Sequence, residues 1–209
     1  GINVKKQSII VMEINHLEKK IKELGGTKKS PTCQKSEDVN LFLREFENEL
    51  NVNLPDLFRK FHASFGAFSF NNPIQVRCKD LPVTSKDEYV KVDYFYCFDM
   101  NCKHSIQKII EHQEGHLPKG YIPFCDGEPG DLICLCVAEE NYGEIYYWWH
   151  ESSMEHNLFK IANDFGRLIA KLQVRDESIG SQEELKKVTI KAKPKLLDLL
   201  KKSGYGPKS

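Results

Sequence analysis

The run Ile122-Pro123-Phe124-Cys125-Asp126-Gly127-Glu128-Pro129-Gly130-Asp131-Leu132-Ile133-Cys134-Leu135-Cys136-Val137 decides the fold. Its first part has the apolar character of a strand, and residues 126–130 carry the Asp, Gly and Pro of a chain reversal. Residues 132–137 are apolar at every position. A strand with no polar alternation has both faces covered, which places it inside a sheet rather than at its edge. Asn141-Tyr142-Gly143 turns the chain again, and residues 144–150 return as an aromatic strand. Three strand-length runs joined by two short reversals predict an antiparallel centre.

Upstream of this centre the apolar period changes from two to that of a helix. Leu54-Pro55-Asp56 opens a helix, with proline in the first turn where its missing N–H goes unused. Leu57, Phe58, Phe61 and Phe65 form its inner face, and Gly66 stops it. A preceding helix starts at the N-cap Ser36, takes Glu37 and Asp38 near its positive end, and runs to about Leu50. Val39, Phe42, Leu43, Phe46 and Leu50 are its apolar stripe. An N-terminal helix carries Ile10, Ile14, Leu17, Ile21 and Leu24, ends at Gly25-Gly26, and leads into a linker over residues 27–35. Between the third helix and the centre lie strand-like runs at 67–70, 73–78 and 89–98, then a helix at 103–113.

Downstream, Leu158, Ile161, Phe165, Leu168 and Leu172 share one helical face, predicting a single long helix over residues 152–172. Beyond Asp176 the chain becomes basic, linker-like at 178–181 and helical within 186–202. That last helix either packs on the domain or serves as a basic arm. The fold class expected is α+β: a central mixed, largely antiparallel sheet with helices packed around it, plus N- and C-terminal helical extensions. The organisation expected is 1–35 as helix and linker, 36–175 as the domain, and 176–209 as a basic extension.

Hydrophobic residues make up 40% of the 209-residue chain, enough for a packed core rather than a disordered polymer. No apolar run nears the ~20 residues of a membrane span, and residues 8–12 lack a secretory cleavage site. Seven cysteines, an odd number, show no paired metal spacing, so reduced structural thiols and a cytoplasmic address are expected. The zero net charge hides a segregation. Residues 1–35 carry eight Lys/Arg against three Asp/Glu, a net of +5; residues 36–185 carry 14 against 26, a net of −12; residues 186–209 carry eight against one, a net of +7.

The carboxylates Asp126, Glu128 and Asp131 invite a metal or acid–base reading. The ligand order of a calcium loop is absent, however, and no positioned partner for proton transfer is visible. The bland alternative is that Gly127 and Gly130 shape the turn while Asp131 caps backbone N–H groups. His112 and His116 have helical spacing, but Gly115 and Pro118 end the helix there and no zincin glutamate follows. Serine elbows, glycine-rich phosphate loops and activated cysteines are all missing. Trp148 and Trp149 point to opposite faces of one strand, so one should be core while the other either anchors a partner or, the commoner outcome, is core as well; the sequence does not say which is which.

Leu54-Pro55-Asp56-x-Phe58-x-x-Phe61 ending in Phe65-Gly66, then Ile122-Pro123-Phe124 with Asp126-Gly127 and Gly130-Asp131, then Gly143-x-Ile145-Tyr146-Tyr147-Trp148-x-His150-Glu151, resemble three successive segments of the SUKH superfamily, the Smi/Knr-type domain. The resemblance covers residues 37–172. It departs after the third helix, where Ala67 follows Gly66 in place of a second glycine. It implies an α+β binding domain without cofactor or catalysis. Many bacterial members are immunity proteins of polymorphic toxin systems, and others, including fungal cell-wall synthesis regulators, act as interaction hubs.

The expectation is therefore a non-enzymatic protein-binding module. Its foremost role would be neutralising a toxin that presents a basic surface and acts on nucleic acid; the alternative is a regulatory scaffold. The partner is a protein, with neither membrane nor nucleic acid bound directly. Asp126, Glu128, Asp131, Trp149 and Glu151 are the candidate partner-binding residues, and no catalytic, cofactor or metal residue is expected.

Overall fold

The computed structural model describes residues 2–30, 39–81, 88–152 and 156–175, with side chains from Glu13 onward. These residues belong to one compact unit, Gly1–Arg175. The expected basic extension, 176–209, and the N-cap at Ser36 lie outside the described residues.

The anticipated centre forms as three antiparallel strands, β4 (Tyr121–Asp126), β5 (Leu132–Cys136) and β6 (Ile145–Trp148). Every residue of β5 is buried, the outcome its unbroken apolar run required. Pro123 sits in β4 where the ladder shifts register between Pro123 and Cys125, a place where a missing N–H costs little. The remaining strands are β1 (Thr27–Lys29), β2 (Phe68–Arg77), β3 (Tyr89–Phe95), β7 (Leu158–Ala162) and β8 (Gln173–Val174). The sheet runs β1 to β7 in sequence order, with β8 also on β2. All its ladders are antiparallel; a parallel bridge joins Cys97 to Ser105 outside the named strands.

Five helices accompany the sheet among the described residues: α1 (Ile2–Glu23), α2 (Val39–Leu50), α3 (Asp56–Phe65), α4 (Ile106–His112) and α5 (Phe165–Lys171). Phe58 and Phe61 of α3 meet Phe124 of β4, Phe95 of β3 and Phe165 of α5 at centroid distances of 4.8–5.9 Å. Phe58, Phe61, Phe95 and Phe124 are all 0% exposed. Burying such a ring contributes about 1.5–3 kcal/mol, so this cluster joins the helical layer to the sheet. Gly66 ends α3 at φ 63°, its N–H donating to the His62 carbonyl.

Three expectations are corrected. Residues 152–172 do not form one helix: residues 158–162 are β7, and only 165–171 are helical. The spacing of Leu158, Ile161, Phe165 and Leu168 mimics a helical face, but β6 has an open edge that β7 fills through pairs such as Tyr147 with Phe159. Asp164 then starts α5 by accepting the Arg167 N–H at 2.7 Å. Residues 27–35 are not all linker, because 27–29 pair with 68–70 as β1. Leu50 ends the α2 stripe but is 40% exposed, while Leu43 and Phe46 are buried.

The far edge of β2 shows how α1 is tied in. β1 and β8 share that edge, at 68–70 and 74–75 respectively. Between them Asn71 and Asn72 donate side-chain N–H groups to the carbonyls of Gly25 and Leu24 at 2.8 and 3.0 Å, satisfying the end of α1. A Cβ on Gly25 would displace the Asn72 amide from its hydrogen bond, and the φ of 99° favours glycine there whatever the space. Leu17, Ile21 and Leu24 bury the inner face of α1, which packs on α3 and α5.

Candidate partner-binding site

The turn between β4 and β5 is held by two backbone hydrogen bonds. The Gly127 N–H donates to the Asp131 carbonyl, and the Asp131 N–H to that of Glu128. Two glycines admit side chains from the neighbouring strand. A Cβ on Gly127 would lie 2.7 Å from the Tyr147 ring, and one on Gly130 would lie 2.6 Å from the His150 ring at a φ of 94°. Tyr147 and His150 can therefore close directly over the turn.

Asp131 is the fixed point of this arrangement. It is 5% exposed, yet its carboxylate is fully engaged. The Tyr147 hydroxyl donates to one oxygen, while the other accepts the His150 backbone N–H at 3.0 Å and faces the His150 Nδ1 at 2.6 Å. A buried carboxylate costs several kcal/mol unless donors surround it, and here three do. Because the carboxylate only accepts, Nδ1 carries the proton and Nε2 is left as the second ring nitrogen. Burial, with the Asp131 hydrogen bond next, raises the Tyr147 hydroxyl well above its ordinary range, so it acts as a donor.

Around this triad lies a cleft of about 260 Å³. Its lining includes Glu128, Asp131, Tyr147, Trp149, His150 and Glu151, together with Leu81 and Tyr89. Four of the five expected site residues thus converge. The fifth, Asp126, does not: it ends β4 outside the cleft lining and accepts the Tyr96 hydroxyl. Burial raises the Asp126 carboxyl above its usual range, only partly countered by the Tyr96 bond. Asp131 lines the cleft but spends its oxygens inside the protein, which leaves Glu128, Trp149 and Glu151 as the outward-facing members. At the edge, Arg175 lies 3.5 Å from Glu128, both side chains 44% exposed.

The two tryptophans divide between core and surface, which alternation along the strand allows but does not require. Trp148 is 3% exposed and belongs to the core, whereas Trp149 is half-buried against Phe159 and lines the cleft. In the sequence Tyr147 and His150 stood out only as part of the closing segment of the resemblance, not as candidate site residues. The signal was the spacing of Gly127, Gly130 and Asp131, three residues that make room for strand neighbours and hold them.

Reactive thiols are not part of this picture. Burial pushes the Cys78 thiol up to about 11 and raises Cys97, Cys125 and Cys134 above their ordinary range, so these groups stay protonated and inert near neutrality. Cys78, Cys97, Cys125, Cys134 and Cys136 are free. Cys102 is disulfide-bonded, which departs from the expectation of reduced thiols throughout. Among the described residues no group of three or more His, Cys, Asp or Glu is placed to hold a metal, and no helix is long and apolar enough to cross a membrane.

An antiparallel sheet with its helices, closed at one end by an IP…DG…GD turn, defines an α+β domain of the SUKH type. Residues 41–171 match the SMI1 / KNR4 family (SUKH-1), and the chain belongs to that family. The chain is also similar to the SPbeta prophage-derived protein YokK of Bacillus subtilis (strain 168), with 25% identity over 189 residues, covering 83% of this chain and 92% of the relative. Membership of this family supports a protein-interaction domain.

Proposed function

We propose that this protein is a non-enzymatic binding module that neutralises a cognate toxin by direct contact, its acidic body meeting a basic surface on that toxin. The observation that carries the reading is the convergence of Glu128, Trp149 and Glu151 on one cleft whose lining, among the described residues, contains no Lys or Arg. An aromatic anchor beside exposed carboxylates is the composition of a hot spot for a basic partner. The net charge of −12 over residues 36–185 extends the same preference across the domain and would steer encounter. A relative of prophage origin is in keeping with a part in conflict between genetic elements. On this reading the module is residues 36–175, flanked by extensions at 1–35 and 176–209, and it works in the cytoplasm against a toxin that acts on nucleic acid.

Co-purification with the product of the neighbouring gene tests it. A complex is expected at low salt, weakening by roughly tenfold or more as ionic strength rises about tenfold. Absence of any complex at low salt, or a complex indifferent to salt, would remove the support. Capture of several unrelated cellular proteins and no toxin would favour the regulatory scaffold instead.

A further inference from the structure

We propose that the cleft beside the β4–β5 turn is a receptor for one arginine side chain of the partner. This rests on the binding-module reading above and names the chemistry it would recognise. Size comes first. Cofactor and small-molecule pockets usually enclose about 300–1,000 Å³, and this cleft, at about 260 Å³, falls short of that range. Such a cleft suits a single inserted side chain.

Polarity comes second. The Glu128 and Glu151 carboxylates only accept hydrogen bonds. The His150 ring, held through Nδ1 by Asp131, stands beside them. Asp131 itself is occupied by Tyr147 and His150 and has nothing to offer a ligand. Two carboxylates in a lining with no Lys or Arg among its described residues favour a ligand that carries positive charge and donates hydrogen bonds. Guanidinium, with five N–H groups, and ammonium, with three, are such ligands among side chains, and shape separates them.

Shape comes third. Trp149 and Tyr89 contribute aromatic surface to the cleft, and a planar guanidinium stacks on such a face while its edge reaches carboxylates. An ammonium is a point charge with three donors and gains less from the same walls. The chain supplies its own precedent at the rim, where the Arg175 guanidinium stands 3.5 Å from Glu128. That pair is exposed and easily exchanged, so a partner's arginine can displace it.

The test needs no knowledge of the partner. The full chain, labelled with ¹⁵N, is titrated with three short peptides: Gly-Arg-Gly, its lysine counterpart and its citrulline counterpart, the last isosteric but uncharged. The arginine peptide should shift the Trp149 indole and Gly130 amide signals along a saturable curve. The lysine peptide should bind roughly fivefold more weakly, and citrulline should leave both signals in place. Trp149→Leu should abolish saturation. Glu151→Gln, at an exposed position that leaves packing intact, should weaken it several-fold. Equal shifts from arginine and citrulline, non-saturating shifts spread over the acidic surface, or a Glu151→Gln protein that binds like the parent would overturn the proposal. Such a failure leaves the toxin-binding reading standing, whereas failure to capture a partner leaves the arginine titration unaffected.

Discussion

Two histidines show how differently one fold treats the same side chain. His62, on α3, is 1% exposed and surrounded by the rings of Phe58, Phe61, Phe98, Phe124 and Phe165 at 4.4–6.3 Å. Burial lowers its pKa to about 3, with only a partial counter-effect from the Tyr96 backbone, so it is a neutral ring packed as an aromatic. His150 stands at the other extreme, half-exposed and oriented by a buried carboxylate. The first region spends its polar group on packing and the second builds packing around a polar group. The aromatic packing is therefore concentrated at the junction of α3, β4 and α5, and the proposed recognition site lies at the β4–β5 turn.

The sharpest way to break this contrast is Phe58→Ala. If the aromatic cluster holds the layers together, the substitution costs roughly 3–5 kcal/mol in urea unfolding. A loss below about 1 kcal/mol would mean that the cluster is dispensable.

Next in size is the pH response of His62. Its folded-state pKa of about 3 lies below the ordinary 6.5, so protons bind the unfolded chain preferentially in that window. The stability present above pH 6.5 should fall as pH drops, by up to about 1.4 kcal/mol per unit and by roughly 2 kcal/mol at pH 5. His62→Leu should flatten that slope relative to the parent. Parallel pH profiles of the two proteins would contradict the buried neutral ring.

Smallest is Arg175→Gln. An exposed pair with Glu128 is worth about 0–1 kcal/mol, and thermal unfolding should scarcely move. A larger shift would show that the rim of the cleft is structural and would blur the division between the two regions.

Parts of both regions are visible in the residues themselves. The α3 face of Phe58, Phe61 and Phe65 follows from helical spacing, and His62 stands four residues after Phe58 on the same side, a position that spacing alone would have placed in the core. The β4–β5 turn and the buried β5 follow from composition. The β7 strand and β1 did not, for a shared reason. Both form because a neighbouring strand leaves backbone groups unpaired, and that demand comes from elsewhere in the chain. Leu158 and Ile161 satisfy a helix template and a strand template alike, so only the open edge of β6 decides between them. Asn163-Asp164, a ready helix start, was the local hint.

The candidate site divides along the same line. Glu128 and Glu151 could be picked out as candidates because carboxylates beside a turn stand in solvent, whereas nothing in the sequence chose between Trp148 and Trp149. That Asp131 is inward and Asp126 apart from the two glutamates could not be read there, since it depends on which hydroxyls the folded strands bring near.

Local physics in this chain determined the strands of the centre, the helices α1 to α4, the turn residues and the segregation of charge, because each depends on period, glycine or composition within a few residues. Tertiary structure decided the rest: which tryptophan is buried, how residues 158–172 split into strand and helix, and that Leu81 and Tyr89 complete a cleft with residues some 40 to 70 positions away. Those outcomes depend on the burial and hydrogen-bond needs of segments far apart in the chain, and such needs exist only once the segments meet.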